Sequence, residues 1–273
     1  MVEHAELEGE LFVDFVTDTA LRIAELRGRN AVVRRIADVG CGPGVGTCEL
    51  ARRFPDASVV AVDSSSAMLE RTIGRSLAHG LDDRISVYET EVPDGLDRIA
   101  PVDVIWASMS LHHIGDEVAA LRALRALLEP DGLIAVAEIA EPMRVLPDDL
   151  DLGRPGLSER VERAAAAWFT EMRNGLPGSV PSQDLTTMIG AAGLEVVDSR
   201  LVRMRFDPPL SDLARRVALG YLPRARTQFA GYLDNDDRDT IDVLLNDDDP
   251  RSVVHRRDVY VAASRRIVIA RPQ

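Results

Sequence analysis

The amino-acid sequence predicts an α/β fold with a doubly wound, mostly parallel sheet of seven strands. Short apolar runs alternate along the chain with segments of helical periodicity, which is typical of parallel strands joined by crossover helices. Four glycines follow the first apolar run, and the second run ends in an acid, Asp63. Because open α/β sheets bind ligands at the carboxyl ends of their strands, both features predict a binding site at one sheet edge.

The individual elements follow from periodicity and from helix signals. Apolar residues at helical spacing predict an N-terminal helical cap over residues 1–30. These residues are Leu11, Phe15, Thr19, Ile23 and Leu26. The strand candidates are residues 34–39, 58–63, 85–91, 102–108, 133–138, 194–206 and 259–270. Asp116 is expected to cap a helix over residues 117–128, which Pro130 to Gly132 would end.

The predicted organisation is a single domain over residues 1–273, with a binding core at 31–140. Two insertions, 141–182 and 207–257, exceed what the sheet needs. Both leave from carboxyl ends of strands, so we expect them to form helical lids over a pocket. Trp168, in the first insertion, fits a pocket lining and the anchor of a packed helix equally well, as does the adjacent Phe169.

The composition disfavours several classes of function. The formal net charge is −13, which would repel nucleic acid and anionic lipid, so neither is expected as a partner. The sequence contains no Lys, and lysine Schiff bases and lysine general bases are therefore excluded. No signal-like segment and no apolar span of roughly 18 residues occurs, so we expect a cytoplasmic protein that does not enter a membrane.

Residues 38–46 form a glycine-rich segment between a strand and a helix and read Asp-Val-Gly-Cys-Gly-Pro-Gly-Val-Gly. Its four glycines can adopt positive φ and let a ligand approach the backbone closely. Asp63 lies seventeen residues after the last of them, a distance at which a βαβ unit can place a carboxylate on a ribose. The pattern therefore predicts a nucleoside ligand.

The dinucleotide fingerprint fits this segment poorly. It needs glycines at its first, third and sixth positions. Counting from Gly40 places Val45 at the sixth position, and counting from Gly42 places Thr47 there. A nicotinamide-dependent oxidoreductase is therefore the less favoured interpretation.

Four segments resemble, in order and spacing, the motifs of class I S-adenosylmethionine-dependent methyltransferases. Residues 38–44 resemble the first motif, and residues 59–69 resemble the second, in which an acid is followed by Ser, Met and Leu. Residues 102–113 and 121–132 resemble the fourth strand and the helix and turn before the fifth. The resemblance implies a Rossmann-like methyltransferase fold, an antiparallel seventh strand and S-adenosyl-L-methionine as cofactor.

The same resemblance assigns roles in binding the cofactor. Asp38 and the backbone of Gly40 and Gly42 would meet the methionine part, whose ammonium favours a carboxylate and whose carboxylate favours amides. Asp63 would accept hydrogen bonds from both ribose hydroxyls.

Further residues would surround the nucleoside. Ser64 and Met68 would border the adenine or the ribose, and Glu91 stands near the position of an acid that reaches the adenine amino group. Cys41 would pack as a small residue under the cofactor, because no neighbouring His or acid activates it as a nucleophile.

His112 and His113 follow the fourth strand candidate, beside where the methyl group should emerge. A neutral imidazole there suits a general base, although a His at a strand end often only bonds the backbone. The other histidines are scattered and suggest no metal site, so no metal is expected.

We therefore expect a methyltransferase that acts on a small organic molecule by in-line transfer to an O, N or C acceptor. Arg224 or Arg226 would meet an acidic group of that molecule. An S-adenosylmethionine-binding protein that transfers no methyl group, either a rearrangement or elimination enzyme or a regulator, is the alternative. The sequence leaves a homodimer through the N-terminal helix open.

Overall fold

The computed structural model describes residues 2–28, 31–181 and 183–273 of the chain. The predicted cap over residues 1–30 includes Met1, Arg29 and Asn30, and the predicted insertion 141–182 includes Ser182; these four residues lie outside the described ones. The strands are β1 Arg35–Val39, β2 Ser58–Asp63, β3 Ile85–Glu89, β4 Val102–Ser108, β5 Leu128–Arg144, β6 Leu194–Phe206 and β7 Val261–Pro272. The helices are α1 Val2–Leu11, α2 Val13–Arg27, α3 Val45–Arg53, α4 Ser66–Ala78, α5 Glu117–Leu127, α6 Leu157–Asn174, α7 Leu185–Ala191, α8 Asp212–Gln228 and α9 Asn235–Leu245.

The seven strands form one sheet in the order β3-β2-β1-β4-β5-β7-β6. The pairs β3–β2, β2–β1, β1–β4 and β4–β5 are all parallel. The chain therefore starts in the middle of the sheet, extends to one edge and returns to the other, as in a doubly wound fold. The predicted mostly parallel seven-stranded sheet is confirmed.

Hydrogen bonds at the ends of β7 fix its direction. The amide of Tyr260, just before β7, donates to the carbonyl of Val145, just after β5. The amide of Gln273, just after β7, donates to the carbonyl of Gly193, just before β6. Since β7 begins where its neighbour β5 ends, and ends where its neighbour β6 begins, it is antiparallel to both. The antiparallel seventh strand is also confirmed.

The N-terminal segment differs from the single periodic helix that the sequence predicts. Two helices, α1 and α2, meet at Phe12, which is buried. Glu6 of α1 accepts hydrogen bonds from Arg71 and Arg75 of α4, and Glu10 accepts another from Arg75. These ion pairs hold α1 against the helix that follows β2.

Several predicted strand bounds differ from the observed ones. Strand β1 begins at Arg35 and not at residue 34, β5 ends at Arg144 and not at residue 138, and β7 spans Val261–Pro272 and not residues 259–270. Strand β3 ends at Glu89 and not at Glu91, and β5 begins at Leu128 and not at residue 133. Val102 of β4 pairs with Leu128 of β5 and Val104 pairs with Leu133, so one intervening residue of β4 lies opposite four of β5. The predicted turn at residues 130–132 is therefore a local bulge at the start of a longer strand.

The chain divides into two compact units. The first comprises residues 1–138, 176–202 and 266–273, and the second comprises 139–175 and 203–265. The predicted insertions, 141–182 and 207–257, fall mostly in the second unit, and their role as lids stays a prediction. Among the described residues, no helix is both long and apolar enough to span a membrane.

The second unit is held by aromatic and ionic contacts of its own. The Trp168 ring of α6 lies 5.6 Å from the Phe229 ring, which in turn lies 6.4 Å from Tyr221 of α8. Arg160 donates to both carboxylate oxygens of the buried Asp237 on α9, each at 2.7 Å. Trp168 thus packs its helix against neighbours within the unit.

A glycine pair provides a test of the packing in the first unit. A Cβ on Gly115, in the loop between β4 and α5, would overlap the carbonyl oxygen of Pro177, whereas a Cβ on Gly74 of α4 would meet nothing within 4 Å. We expect Gly115→Ala to lower the free energy of unfolding by about 1 to 3 kcal/mol through overpacking. Gly74→Ala should raise it by about 0.5 to 1 kcal/mol through helix propensity. Urea unfolding of both variants measures the difference, and equal stabilities would contradict the described packing.

Candidate active site

The loop between β1 and α3 is tied to the end of β2 by backbone hydrogen bonds. The amides of Gly40 and Cys41 both donate to the carbonyl of Val62, at 2.8 and 3.0 Å. Val39 and Val62 are register partners, so the two strand ends lie side by side. The first motif is therefore built on the end of its neighbour strand.

Three glycines of this loop have positive φ, and the space where each side chain would lie differs among them. Gly40, Gly42 and Gly44 have φ values of +71°, +55° and +79°. A Cβ on Gly40 would overlap the Ser110 side chain, and one on Gly44 would lie 2.9 Å from the Cα of Thr72. A Cβ on Gly42 would meet nothing within 4 Å. Gly40 and Gly44 are therefore required by packing, whereas Gly42 faces open space that a ligand can enter.

Asp63 ends β2 and holds the backbone of two loops. Its Oδ2 accepts from the Gly42 amide at 2.9 Å, and its Oδ1 accepts from the Ser65 amide at 2.9 Å. A carboxylate has about four acceptor positions, so each oxygen retains one for a ligand hydroxyl. This arrangement suits a vicinal diol, as the sequence predicts for a ribose.

Asp38, near the end of β1, is buried with 2% exposure. Thr47 of α3 donates a hydrogen bond to its Oδ2 at 2.6 Å. Burial raises the pKa of Asp38 to about 7; the Thr47 hydrogen bond opposes this rise, and the negative charge of Asp63 adds to it. A cationic ligand group beside Asp38 would reverse the effect, so the site fits an ammonium.

The loop after β4 carries the two predicted histidines on the short 3-10 helix Leu111–His113. The His112 side chain is buried, and its Nδ1 lies 2.6 Å from Oε2 of Glu138 on β5. The other oxygen of Glu138 accepts from the amides of Ser110 and Leu111, at 3.2 and 2.9 Å. Glu138 thus organises the whole loop, and sequence reasoning missed it.

His113 differs from His112 in its surroundings. It is exposed, and its ring centroid lies 4.2 Å from that of His112. The loop is also joined to the glycine-rich segment, because the hydroxyl of Ser110 donates to the carbonyl of Val39 at 3.0 Å. The structure therefore brings His112, Asp38 and Asp63 to the same edge of the sheet.

Cys41 is buried between the glycine loop and α4. Its Sγ lies 3.9 Å from the hydroxyl of Thr72, and it belongs to an apolar cluster with Ala61 and Leu69. Burial strongly raises the pKa of the Cys41 thiol, with a further contribution from the charge of Asp38. The thiol is therefore protonated at neutral pH and is not a nucleophile.

The remaining predicted residues lie in less constrained positions. Ser64 is exposed, and Met68 lies half-buried in the first turn of α4, which Ser65 caps. Glu91 is exposed in the loop after β3, two residues beyond Glu89, the register partner of Asp63. The roles of Ser64, Met68 and Glu91 stay predictions.

Arg226 pairs with an acid of its own unit, and its contact with a substrate stays a prediction. The Arg226 guanidinium makes two hydrogen bonds to Asp242, at 2.5 and 3.0 Å, so it is already engaged by an acid. Among the described residues, no group of three or more His, Cys, Asp or Glu side chains is arranged to hold a metal ion.

The donor set at this edge fits a sulfonium nucleoside. Asp38 and Asp63 offer carboxylates for an ammonium and a diol, and the open side of Gly42 admits the ligand to the backbone. A dinucleotide would instead bring a pyrophosphate to this loop, where the buried carboxylate of Asp38 would repel it.

Comparisons with known proteins agree with this chemistry. A family described as a methyltransferase domain matches residues 36–132. A trans-aconitate 2-methyltransferase from Enterobacter sp. (strain 638) is 32% identical over 192 residues, which cover 68% of this chain and 68% of that protein. Another from Methylobacterium radiotolerans is 33% identical over 58% of this chain, and the match spans 64% of that protein, just under two thirds of its length.

A solved structure has the same fold. The YcgJ protein from Bacillus subtilis aligns with a TM-score of 0.52 and 16% identity, covering 93% of this chain and 97% of that one. The sheet order, the glycine loop with its two strand-end acids, and the match to a relative over two thirds of its length agree with one another. The chain belongs to the class I S-adenosylmethionine-dependent methyltransferase family.

Proposed function

We propose that this chain methylates a small organic molecule at an atom that must lose a proton, with His112 as the general base. The observation that carries the proposal is the 2.6 Å contact between His112 and Glu138, on a loop that Ser110 joins to the glycine segment. A carboxylate hydrogen-bonded behind an imidazole is the arrangement that orients a catalytic base.

Different residues of the first unit would bind the cofactor and remove the proton from the acceptor. Asp63 would accept hydrogen bonds from the ribose hydroxyls, Asp38 would bind the ammonium, and the Gly42 backbone would lie against the ligand. When bound, the cofactor supplies a methyl group on a cationic sulfur, which retains the electron pair when the methyl group leaves. His112 would take the proton from the acceptor atom. Positioning alone can supply about 7 to 11 kcal/mol, and a base can add about 10² to 10⁴-fold in rate.

A second candidate acceptor is a carboxylate. Two relatives of this chain are named trans-aconitate 2-methyltransferases. A carboxylate is already anionic at neutral pH, so its methylation to an ester needs no base. His112 would then be dispensable for chemistry, which separates the two candidates experimentally.

The proposed partner is a small molecule alone, since the net charge of −13 disfavours nucleic acid. A cytoplasmic location is proposed as well, which the free and buried thiols of Cys41 and Cys48 support. The homodimer stays a prediction.

Asp63→Ala should weaken S-adenosylmethionine binding by about 100-fold or more. The substitution removes two charge-assisted hydrogen bonds to the ligand and releases the Gly42 and Ser65 amides. Isothermal titration calorimetry measures the dissociation constant. Asp82→Ala, at an exposed turn residue before β3, is the matched control and should bind as the wild type does. Equal affinities for wild type and Asp63→Ala would refute the assignment of Asp63.

Cofactor affinity should depend on pH through Asp38. Because burial raises the pKa of Asp38 to about 7, the neutral acid that predominates below that pH cannot pair with the ammonium. We expect affinity to fall by up to about tenfold per pH unit below pH 7. Asp38→Asn should bind weakly and lose most of this dependence. The charge of Asp63 and the Thr47 hydroxyl also face Asp38, so titrations of Asp63→Asn control for their coupling.

Methyl transfer itself is tested with methyl-labelled cofactor and a panel of hydroxyl, amine, acidic-carbon and carboxylate acceptors. Label should appear in a product whose acceptor atom carries a proton. His112→Gln should lower turnover of that acceptor by about 10²-fold or more. Labelling of carboxylates alone, with full activity in His112→Gln, would replace the first candidate with the second. Cofactor binding without label in any product would favour the alternative that no methyl group is transferred.

A further inference from the structure

We propose that Glu138 is a positioning residue that holds His112 in the Nδ1–H tautomer. This inference rests on the proposed function, because it concerns the same histidine. It goes further by naming the residue that decides which ring nitrogen carries the lone pair.

The geometry assigns each oxygen of Glu138 a different task. Oε1 accepts from two backbone amides, those of Ser110 and Leu111, and Oε2 faces Nδ1 of His112. The side chains of Glu138 and His112 are 15% and 9% exposed, so water competes little for these contacts. One carboxylate therefore fixes both the backbone of the loop and the ring that the loop carries.

The tautomer follows from the chemistry of the contact. An ionised carboxylate only accepts hydrogen bonds, so Nδ1 must be the donor. In neutral His112 the second nitrogen, Nε2, then carries the lone pair that a base requires. The pair thus presents Nε2 as the proton acceptor.

The Glu138→Gln substitution would reverse the donor and acceptor roles in the contact with Nδ1 while keeping the shape of the side chain. It has one oxygen and one NH₂ group, and the two amides of Ser110 and Leu111 need the oxygen. The NH₂ group would then face Nδ1 and donate to it. His112 would adopt the Nε2–H tautomer, in which Nε2 cannot take a proton from the acceptor.

The experiment combines ring ¹⁵N NMR with steady-state kinetics of Glu138→Gln, Glu138→Asp and wild type. Spectra are recorded at a pH where the imidazole is neutral, and the His112 signals among the five histidines are identified by their loss in His112→Gln. Glu49→Gln is the matched control, since Glu49 is a buried carboxylate elsewhere in the first unit that accepts side-chain hydrogen bonds. Thermal melting and cofactor affinity are measured for every variant.

In wild type and Glu49→Gln we expect the Nδ1–H tautomer and equal kcat. In Glu138→Gln we expect the Nε2–H tautomer, a fall in kcat of about 10²-fold or more, and little change in KM or in cofactor affinity. Glu138→Asp should retain the Nδ1–H tautomer and recover part of the lost kcat.

An Nε2–H tautomer in wild type, or an unchanged kcat in Glu138→Gln, would overturn the positioning role. If Glu138→Gln unfolds, Glu138→Asp decides instead, because loss of the Nδ1–H tautomer despite the retained carboxylate would contradict the proposal. Failure of the proposed function has a different signature, since wild type would then give no labelled product while its tautomer remained measurable.

Discussion

The Asp63 carboxylate connects the end of β2 to the glycine loop after β1 and to the turn before α4. Two backbone amides point at its two oxygens, and the neighbouring carbonyl of Val62 accepts from two more. Three residues of the loop are glycines at positive φ with no side chain to anchor them, so contacts to the loop backbone determine its shape. The Thr72 hydroxyl adds one of these by donating to the carbonyl of Gly42 at 2.9 Å. Asp63, at the end of a strand, is the acid that joins this loop to the turn before α4.

The same construction recurs at the other pair of strands. Glu138 of β5 accepts hydrogen bonds from the amides of Ser110 and Leu111 after β4. Asp63 of β2 likewise accepts one from the Gly42 amide after β1. In both cases a carboxylate on one parallel strand organises the loop that follows its neighbour. The Ser110 hydroxyl, which donates to the carbonyl of Val39, joins the two loops. The loops after β1 and β4 are thus connected through a short, directional contact.

Local patterns in the sequence predicted much of this framework. Strands β2, β4 and β6 have the predicted bounds, and Asp116 caps α5 by accepting from the Ala119 amide. These features depend on neighbouring residues, which a sequence displays directly. The glycine loop and Asp63 could be predicted for the same reason, because their spacing within one βαβ unit is nearly fixed.

The features that were missed depend on tertiary contacts. Glu138 stands 26 residues from His112, and nothing beside it marks it as a partner of that ring. The predicted N-terminal helix is interrupted at Phe12, whose side chain makes no capping hydrogen bond but is buried. The early start of β5 follows from its pairing with β4 across a bulge. Periodicity alone carries no information on such pairings.

The burial of Cys41 under the glycine loop has a practical consequence. Its thiol is covered by the loop and α4 and is held in the unreactive protonated form. An alkylating reagent can reach it only when the segment opens, so the rate of modification counts local opening events. The alkylation rate of Cys41 would therefore measure local opening of the glycine loop, and no added probe is needed.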